Sequence, residues 1–472
     1  MDNQQFRKYA HEVADWMADY LQNIEERPVK SLVNPGEIFK QLADTPPAKS
    51  ESMQTIIDDV NRIILPGITN WQSPDFFAYF PANSSYPSVL AEMMTATMGA
   101  QCMVWETSPA AAELEEMVMN WLKKMTGIPE KFEGVIQDSA SSSTLVAILS
   151  AREKESAFSI NNKGFETNNY RIYCSTEAHS SVEKAVQISG IGRENLRKIE
   201  VDDKLAMNPV KLEDAIRRDI QDGLVPTCVV AAVGTTGTVA LDPVKAIAEV
   251  CRKYKVWLHI DAAYAGSAMV LPEYRYLIEG IENADSYVFN PHKWMFTNFD
   301  CSAYFVKDKE TLIKTFEILP EYLKTRPDNK VNNYRDWGIQ LGRRFRALKL
   351  WFVIREMGVE GIQKKISDHI LWAGELASQI RHTRGFQLYE PQNLALVCFS
   401  ISPGSAIENE DVNILNMKFL HHINSTGKLY LSHTKVNGTV FLRMQIGQTS
   451  VTREHVQKAW DFIKSESVKY LK

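Results

Sequence analysis

The sequence predicts an α/β protein built on a mostly parallel sheet, and two patterns predict it. From about residue 86 to about residue 350, short apolar runs alternate with segments of helical periodicity, the signature of strand-helix units. Beyond that stretch the pattern changes. Long helical segments give way to four β-like runs that read as antiparallel strands of a smaller α/β lobe. The expected organisation is a helical segment over 1–85, a large domain over 86–350 and a small carboxy-terminal domain over 351–472.

Each element has its own warrant. In "MDNQQFRKYAHEVADWMADYL", Phe6, Ala10, Val13, Met17 and Leu21 recur at helical spacing, which predicts an amphipathic helix docked on another surface. The segment is polar and acidic, unlike a signal peptide. Helices joined by the Pro-rich connectors "SLVNPGE" and "ADTPPAKSES" follow. "GVIQ" then precedes the helix "SSSTLVAILSARE", "RIYC" precedes "SSVEKAVQIS", and "TCVVAAVG" precedes "PVKAIAEVCRKY", with "VWLHID" after it. "GFQLYE", "LALVCFSI", "KLYLSHTKV" and "TVFLRMQI" are the late strands, closed by the helix "REHVQKAWDFIKS". The polar stretch "EYLKTRPDNKVNNYRDW" reads as a solvated surface loop, of a length more often functional than idle.

Composition narrows the function classes. With 44% hydrophobic and 24% charged residues, the chain has the make-up of an ordinary soluble globular protein. A net charge of −5 argues against nucleic-acid or membrane-surface partners, and no apolar run is long enough to span a bilayer. Six scattered cysteines (102, 174, 228, 251, 301, 398), none in CxxC spacing, read as reduced, buried thiols of a cytoplasmic protein with no metal site.

Three stretches converge on one chemistry. "VWLHIDAAYAG" ends a strand at Asp261, where ligands of α/β sheets sit, and Ala262, Ala263 and Gly266 leave room for a flat ring. Alone, such an Asp reads first as a cap or turn former. "DSYVFNPHKW" carries Lys293 between a strand end and an apolar run. A lysine so flanked has its pKa lowered and becomes a Schiff-base nucleophile. An aldehyde cofactor would use the amine, and Asp261 would hold its protonated pyridine nitrogen. "DSASSSTL" offers Ser139, Ala140 and Ser141 at a helix start, with four serines in five residues, as a phosphate site. "GTTGT" places Thr236 as a donor to the cofactor's ring oxygen, and His179 at a strand-helix junction could stack on the ring. The combination points to pyridoxal 5'-phosphate.

The blocks "FFAYFP", "AHSSVEKA", "HIDAAYAGSA", "NPHKW", "NFDCSA" and "LGRRFRALKLWFV" together resemble the aromatic-L-amino-acid decarboxylases. These are group II pyridoxal-phosphate decarboxylases of fold type I. The resemblance runs from about residue 6 to the carboxy terminus. It implies a seven-stranded large domain, a cytoplasmic homodimer with shared active sites, and an amino-terminal segment embracing the partner. It also implies roles: Lys293 as the cofactor-binding lysine, Asp261 on the pyridine nitrogen, and His179 and Ala263 on the two ring faces. Ser139, Ala140, Ser141, Asn290 and His292 would surround the phosphate, with Thr236 near the ring oxygen. Tyr322, in a mobile loop, would protonate the carbon that CO2 leaves.

For the substrate ring, the resemblance implies Trp71, Phe77, Tyr79, Phe80 and Pro81, joined by Gln101 and Met103 of the partner protomer. Gly342 leaves room for the ring, and Gln101 would hydrogen-bond either a substrate hydroxyl or an indole N–H. Asp138, beside the phosphate shell, is expected to point away. Tryptophan, tyrosine, phenylalanine, DOPA and 5-hydroxytryptophan all stay open as substrates. An aromatic acetaldehyde synthase is the rival outcome, with a histidine or glutamate decarboxylase and a non-catalytic scaffold behind it.

Overall fold

Seven strands form the larger of two sheets in this computed structural model, which describes residues 1–318, 331–403 and 409–471. They are β1 (Glu133–Gln137), β2 (Tyr170–Ser175), β3 (Leu196–Ile199), β4 (Val225–Ala232), β5 (Trp257–Asp261), β6 (Ser286–Phe289) and β7 (Ser302–Val306). Their order is β1-β7-β6-β5-β4-β2-β3. The strands from β3 across to β6 pair in parallel, and β7 runs antiparallel between β1 and β6. This is the mostly parallel seven-stranded sheet expected.

Burial explains the strand sequences. Central parallel strands are covered on both faces, so they are continuously apolar instead of alternating. Cys228 to Ala232 of β4 and all of β6 are buried. The helix Ala140–Glu155 crosses this sheet with Leu145, Val146 and Ile148 in one core with Ile172, Val230, Val288 and Tyr304. The helix Val244–Tyr254 buries Val244, Ile247, Ala248 and Cys251, a stripe at helical spacing. All six cysteines are free and buried.

The chain divides into two compact units. One comprises Ala82–Leu371 with Glu390–Leu394 and contains the seven-stranded sheet; the other joins Met1–Pro81, Trp372–Tyr389 and Ala395–Lys472. The second unit holds the four late strands, β8 (Phe386–Leu388), β9 (Leu396–Ile401), β10 (Ser432–Val436) and β11 (Thr439–Gln445). They pair antiparallel in the order β10-β11-β9-β8. Asn437 and Gly438, both at positive φ, make the tight β10–β11 turn, where the right-handed twist of hairpin strands favours Asn-Gly.

The expected amino-terminal helix spans Asn3–Gln22, opened by a reciprocal Asp2–Gln5 capping box. No residue of this helix is buried, and Phe6 and Val13 are 59% and 39% exposed.

Part of the polar stretch before residue 338 departs from expectation. Residues 319–330 lie outside the described residues, but Tyr334, Arg335, Asp336 and Trp337 are buried instead of solvated. Tyr334 and Trp337 meet edge to face in the core, and the Trp337 carbonyl accepts the Gln137 Nε2 hydrogen at 2.9 Å. Two aromatic anchors thus overrule a polar local composition.

Candidate active site

The site begins where β5 and β6 end. Asp261 is the last residue of β5, and its Oδ1 accepts the Ala263 N–H at 3.0 Å, which turns the chain out of the strand. The Asn290 N–H then bonds the Ala263 carbonyl at 3.0 Å, tying the exit of β6 to that of β5. Gly266, expected to make space for a ring, instead meets the core. A Cβ there would stand 2.3 Å from Phe289 Cβ, so glycine serves packing.

Lys293 sits in the short helix Pro291–Trp294, half-buried, with Pro291, His292 and Trp294 fully buried around it. Burial lowers its pKa, and the Asp261 carboxylate pulls the other way. The turn is pinned from outside: Asn83 donates its N–H to the His292 carbonyl (3.0 Å) and its Nδ2 hydrogen to the Lys293 carbonyl (2.7 Å). Asn83 carried no expectation from sequence; its signal is only its place just past "FFAYFP".

His179 caps the helix Ser180–Ile188, and its Nδ1 accepts the Ser181 N–H at 3.1 Å. A backbone N–H only donates, so the neutral ring carries its proton on Nε2. Burial lowers the His179 pKa, Asp261 raises it and Lys293 lowers it, placing the three groups in one electrostatic neighbourhood. His292 follows the same logic. Its Nδ1 accepts the Cys301 N–H at 2.8 Å, and burial, aided by the Lys293 charge, brings its pKa down to about 3. Asn290 Oδ1 accepts the Ser302 hydroxyl at 2.7 Å, which leaves its Nδ2 hydrogens as donors. Neither pair of partners was legible in sequence.

Ser139 is the N-cap of the helix Ala140–Glu155, its Oγ accepting the Ser142 N–H at 3.3 Å. The Ala140 and Ser141 N–H groups have no acceptor among the described residues, so the helix presents two open donors and its positive dipole end. Asp138 stands beside them. Its Oδ1 accepts the Ser139 hydroxyl and its Oδ2 the Gln340 Nε2 hydrogen at 2.7 Å, so both oxygens are engaged.

Thr236 is exposed in the loop after β4. That loop is closed by Asp242, which accepts the Met207 and Ala232 N–H groups, each at 2.7 Å; complete burial raises its pKa to about 7.

The predicted specificity residues fall in two places. In the unit with the large sheet, Gln101 Oε1 accepts the Arg343 N–H at 2.7 Å, and the Met103 carbonyl accepts the Arg335 N–H at 2.9 Å. Arg343 is itself held by a buried pair with Glu115 (2.6 Å). A Cβ on Gly342 would reach Gln101 Nε2 at 3.5 Å, an ordinary contact. In the other unit, Trp71 stacks on Phe76 (4.4 Å between centroids) and Tyr79 (5.8 Å). Trp71 and Tyr79 are exposed, whereas Phe77, Phe80 and Pro81 are buried. Tyr430, whose ring meets Phe76 and Tyr79 edge-on, was not anticipated. Tyr322 lies outside the described residues.

Residues 35–402 match the pyridoxal-dependent decarboxylase conserved domain. The chain is 43% identical to a phenylacetaldehyde synthase of Arabidopsis thaliana, covering 99% of this chain and 96% of that protein. It is 40% identical to tyrosine decarboxylase 2 of Narcissus pseudonarcissus, over 99% and 95%. Among solved structures, an Oryza sativa TDC with PLP and tryptamine superposes with a TM-score of 0.97 at 34% identity, over 100% and 99% of the two chains. The site suits that cofactor: a lysine amine short of its usual basicity, a carboxylate beside it, and an open helix terminus.

Proposed function

The chain belongs to the family of pyridoxal-dependent decarboxylases acting on aromatic amino acids, and on that premise we propose an amine-forming enzyme that works as a homodimer. The observation that carries the assignment of roles is the convergence of Lys293, Asp261 and His179 in one electrostatic neighbourhood.

Pyridoxal phosphate, when bound, supplies an electron sink for the pair left behind by CO2. The protein's part is placement and proton control. The lowered pKa of Lys293 keeps a fraction of its Nζ neutral for bonding to the cofactor's aldehyde carbon. Asp261 would hold a proton on the pyridine nitrogen. The His179 ring and Ala263 would cover the two faces, and Thr236 would donate to the ring oxygen. The Ala140 and Ser141 N–H groups, the His292 Nε2–H and the Asn290 amide would bind the phosphate, and Ser139 would join them by turning its hydroxyl away from Asp138. Tyr322 delivers the proton to the α-carbon; this role rests on the family resemblance.

The ring of the substrate meets Trp71 and the run from Phe77 to Pro81, with Gln101 and Met103 of the partner protomer. Gln101 favours a hydroxylated ring. Its carbonyl is committed to Arg343, so the amide offers N–H donors, which suit a phenolic oxygen better than an indole N–H. The exposed Phe6 and Val13 on the amino-terminal helix support its place against a second copy. Six buried thiols and the lack, among the described residues, of a helix able to cross a membrane support a cytoplasmic setting.

The relatedness to a phenylacetaldehyde synthase makes the aldehyde outcome the one to test. That route consumes O2 and releases CO2, ammonia and H2O2 with the aldehyde, whereas amine formation consumes no O2. Purified enzyme given tyrosine, phenylalanine, tryptophan, DOPA or 5-hydroxytryptophan is expected to release one amine per CO2 with no O2 uptake. Tyr322→Phe is expected to turn the product to aldehyde with matching O2 uptake. Unchanged amine output from that variant would remove Tyr322 from the mechanism.

A further inference from the structure

One charge beside the open helix terminus has no cation of its own. Asp138 is half-buried between the end of β1 and the Ser139 N-cap of the helix Ala140–Glu155. Both of its partners are neutral donors: Oδ1 accepts the Ser139 hydroxyl at 3.1 Å and Oδ2 the Gln340 Nε2 hydrogen at 2.7 Å. Asp138 makes no ion pair among the described residues, yet its charge acts on His292 and on Arg346. Arg346 is already committed to Asp300, through hydrogen bonds of 2.9 and 3.2 Å.

Two effects of this carboxylate oppose an anion at the helix start. The first is a contest for one hydrogen. The Ser139 hydroxyl can donate only once, and its oxygen already accepts the Ser142 N–H at 3.3 Å. The Ser142 hydroxyl, 3.3 Å away, can donate to it, whereas a carboxylate only accepts. Asp138 therefore holds the hydrogen that a phosphate on the Ala140 and Ser141 N–H groups would take from Ser139. The second effect is Coulombic: the carboxylate repels a dianion that the helix dipole draws in. In the empty protein the same charge is favourable, because it complements the positive end of the helix.

On the reading that places the phosphate at this helix start, we propose that Asp138 sets how tightly the enzyme holds pyridoxal phosphate. It lowers the affinity by its charge and by its hold on the Ser139 hydroxyl, and Gln340 keeps it in place. An asparagine of the same shape reverses both effects. Its Oδ1 still accepts the Gln340 amide, and its Nδ2 hydrogens face Ser139, which frees that hydroxyl to donate to the phosphate.

The test is dialysis of the loaded, full-length enzyme to equilibrium against graded pyridoxal phosphate, with the bound fraction read from visible absorbance. Asp138→Asn is expected to tighten binding at least about tenfold, while slightly lowering the thermal midpoint measured without cofactor. Damaged packing would instead weaken binding and lower the midpoint together. Ser139→Ala completes a double-mutant cycle. It should weaken the cofactor less than about threefold in the unaltered chain, and at least about tenfold in the Asp138→Asn background. Ser141→Asp, which should weaken binding, checks the phosphate position separately. Weaker binding by Ser141→Asp, with unchanged or weaker binding by Asp138→Asn, overturns the proposal and leaves the phosphate where it is assigned. Unchanged binding by both overturns the proposal together with that assignment. Equal losses from Ser139→Ala in the two backgrounds overturn the contest for the hydroxyl. Should Ser139→Ala fail to fold, the Asp138→Asn and Ser141→Asp comparison decides.

Discussion

At the scale of single residues, the site works by committing one atom of a side chain so that another is left available. His179 and His292 each spend Nδ1 on a backbone N–H, and Asn290 spends Oδ1 on Ser302. Asp261 spends Oδ1 on the Ala263 N–H and leaves Oδ2 outside that bond. Asp261→Asn preserves that acceptor and removes only the charge. Steady-state kinetics should then show kcat lower by roughly a hundredfold or more, with KM within a few fold and cofactor absorbance retained. An unchanged kcat would remove the pyridine-nitrogen role. Gln101→Leu should lower the tyrosine-to-phenylalanine ratio of kcat/KM by about tenfold, measured on both substrates in parallel. Residue identities were legible in sequence because strand ends and helix starts are local features. Their commitments were not: Gln101 and Arg343 are 242 positions apart, and which end of an amide is used depends on the distant partner.

Secondary-structure elements carry the next level of control. The helix Ala140–Glu155 presents Ala140 and Ser141 N–H groups with no acceptor among the described residues. A negative charge placed there should help the helix and hinder the phosphate. Ser141→Asp is therefore expected to weaken pyridoxal phosphate binding at least about tenfold while holding or slightly raising the thermal midpoint of the cofactor-free protein. Unaltered cofactor affinity, read by absorbance titration, would move the phosphate elsewhere. The strand-helix pairs around this terminus were legible from periodicity, as were the four late strands. β3 was not, because "LRKI" sets two adjacent charges between two apolar residues at the sheet edge, next to β2 alone. Tyr334 to Trp337 misled for another reason: a polar neighbourhood hid two aromatic anchors.

For the whole molecule, association is the property that the exposed amino-terminal helix raises. An apolar stripe facing water, with Phe6 and Val13 prominent in it, is a liability unless another chain covers it. Val13→Glu should raise the dimer dissociation constant at least about tenfold, seen as a fall in mass by light scattering on dilution. An unshifted mass would take this helix out of the interface. Local pattern has little to say at this scale. The pairing of Phe77 with Tyr430, inside one compact unit, joins segments hundreds of residues apart, and no periodicity in either announces the other.

The buried thiols give the enzyme a chemical character of its own. Burial raises the pKa of Cys102 to about 11 and those of Cys174, Cys301 and Cys398 to about 12, with Cys228 and Cys251 also pushed up. Alkylating reagents and peroxide attack thiolates, and at neutral pH these sulfurs hold almost none. Labelling of the native protein is therefore slow at all six positions, and each reacting sulfur marks a chain that has opened. Thiol chemistry becomes a clock for unfolding, running in the same tube as the catalytic assay.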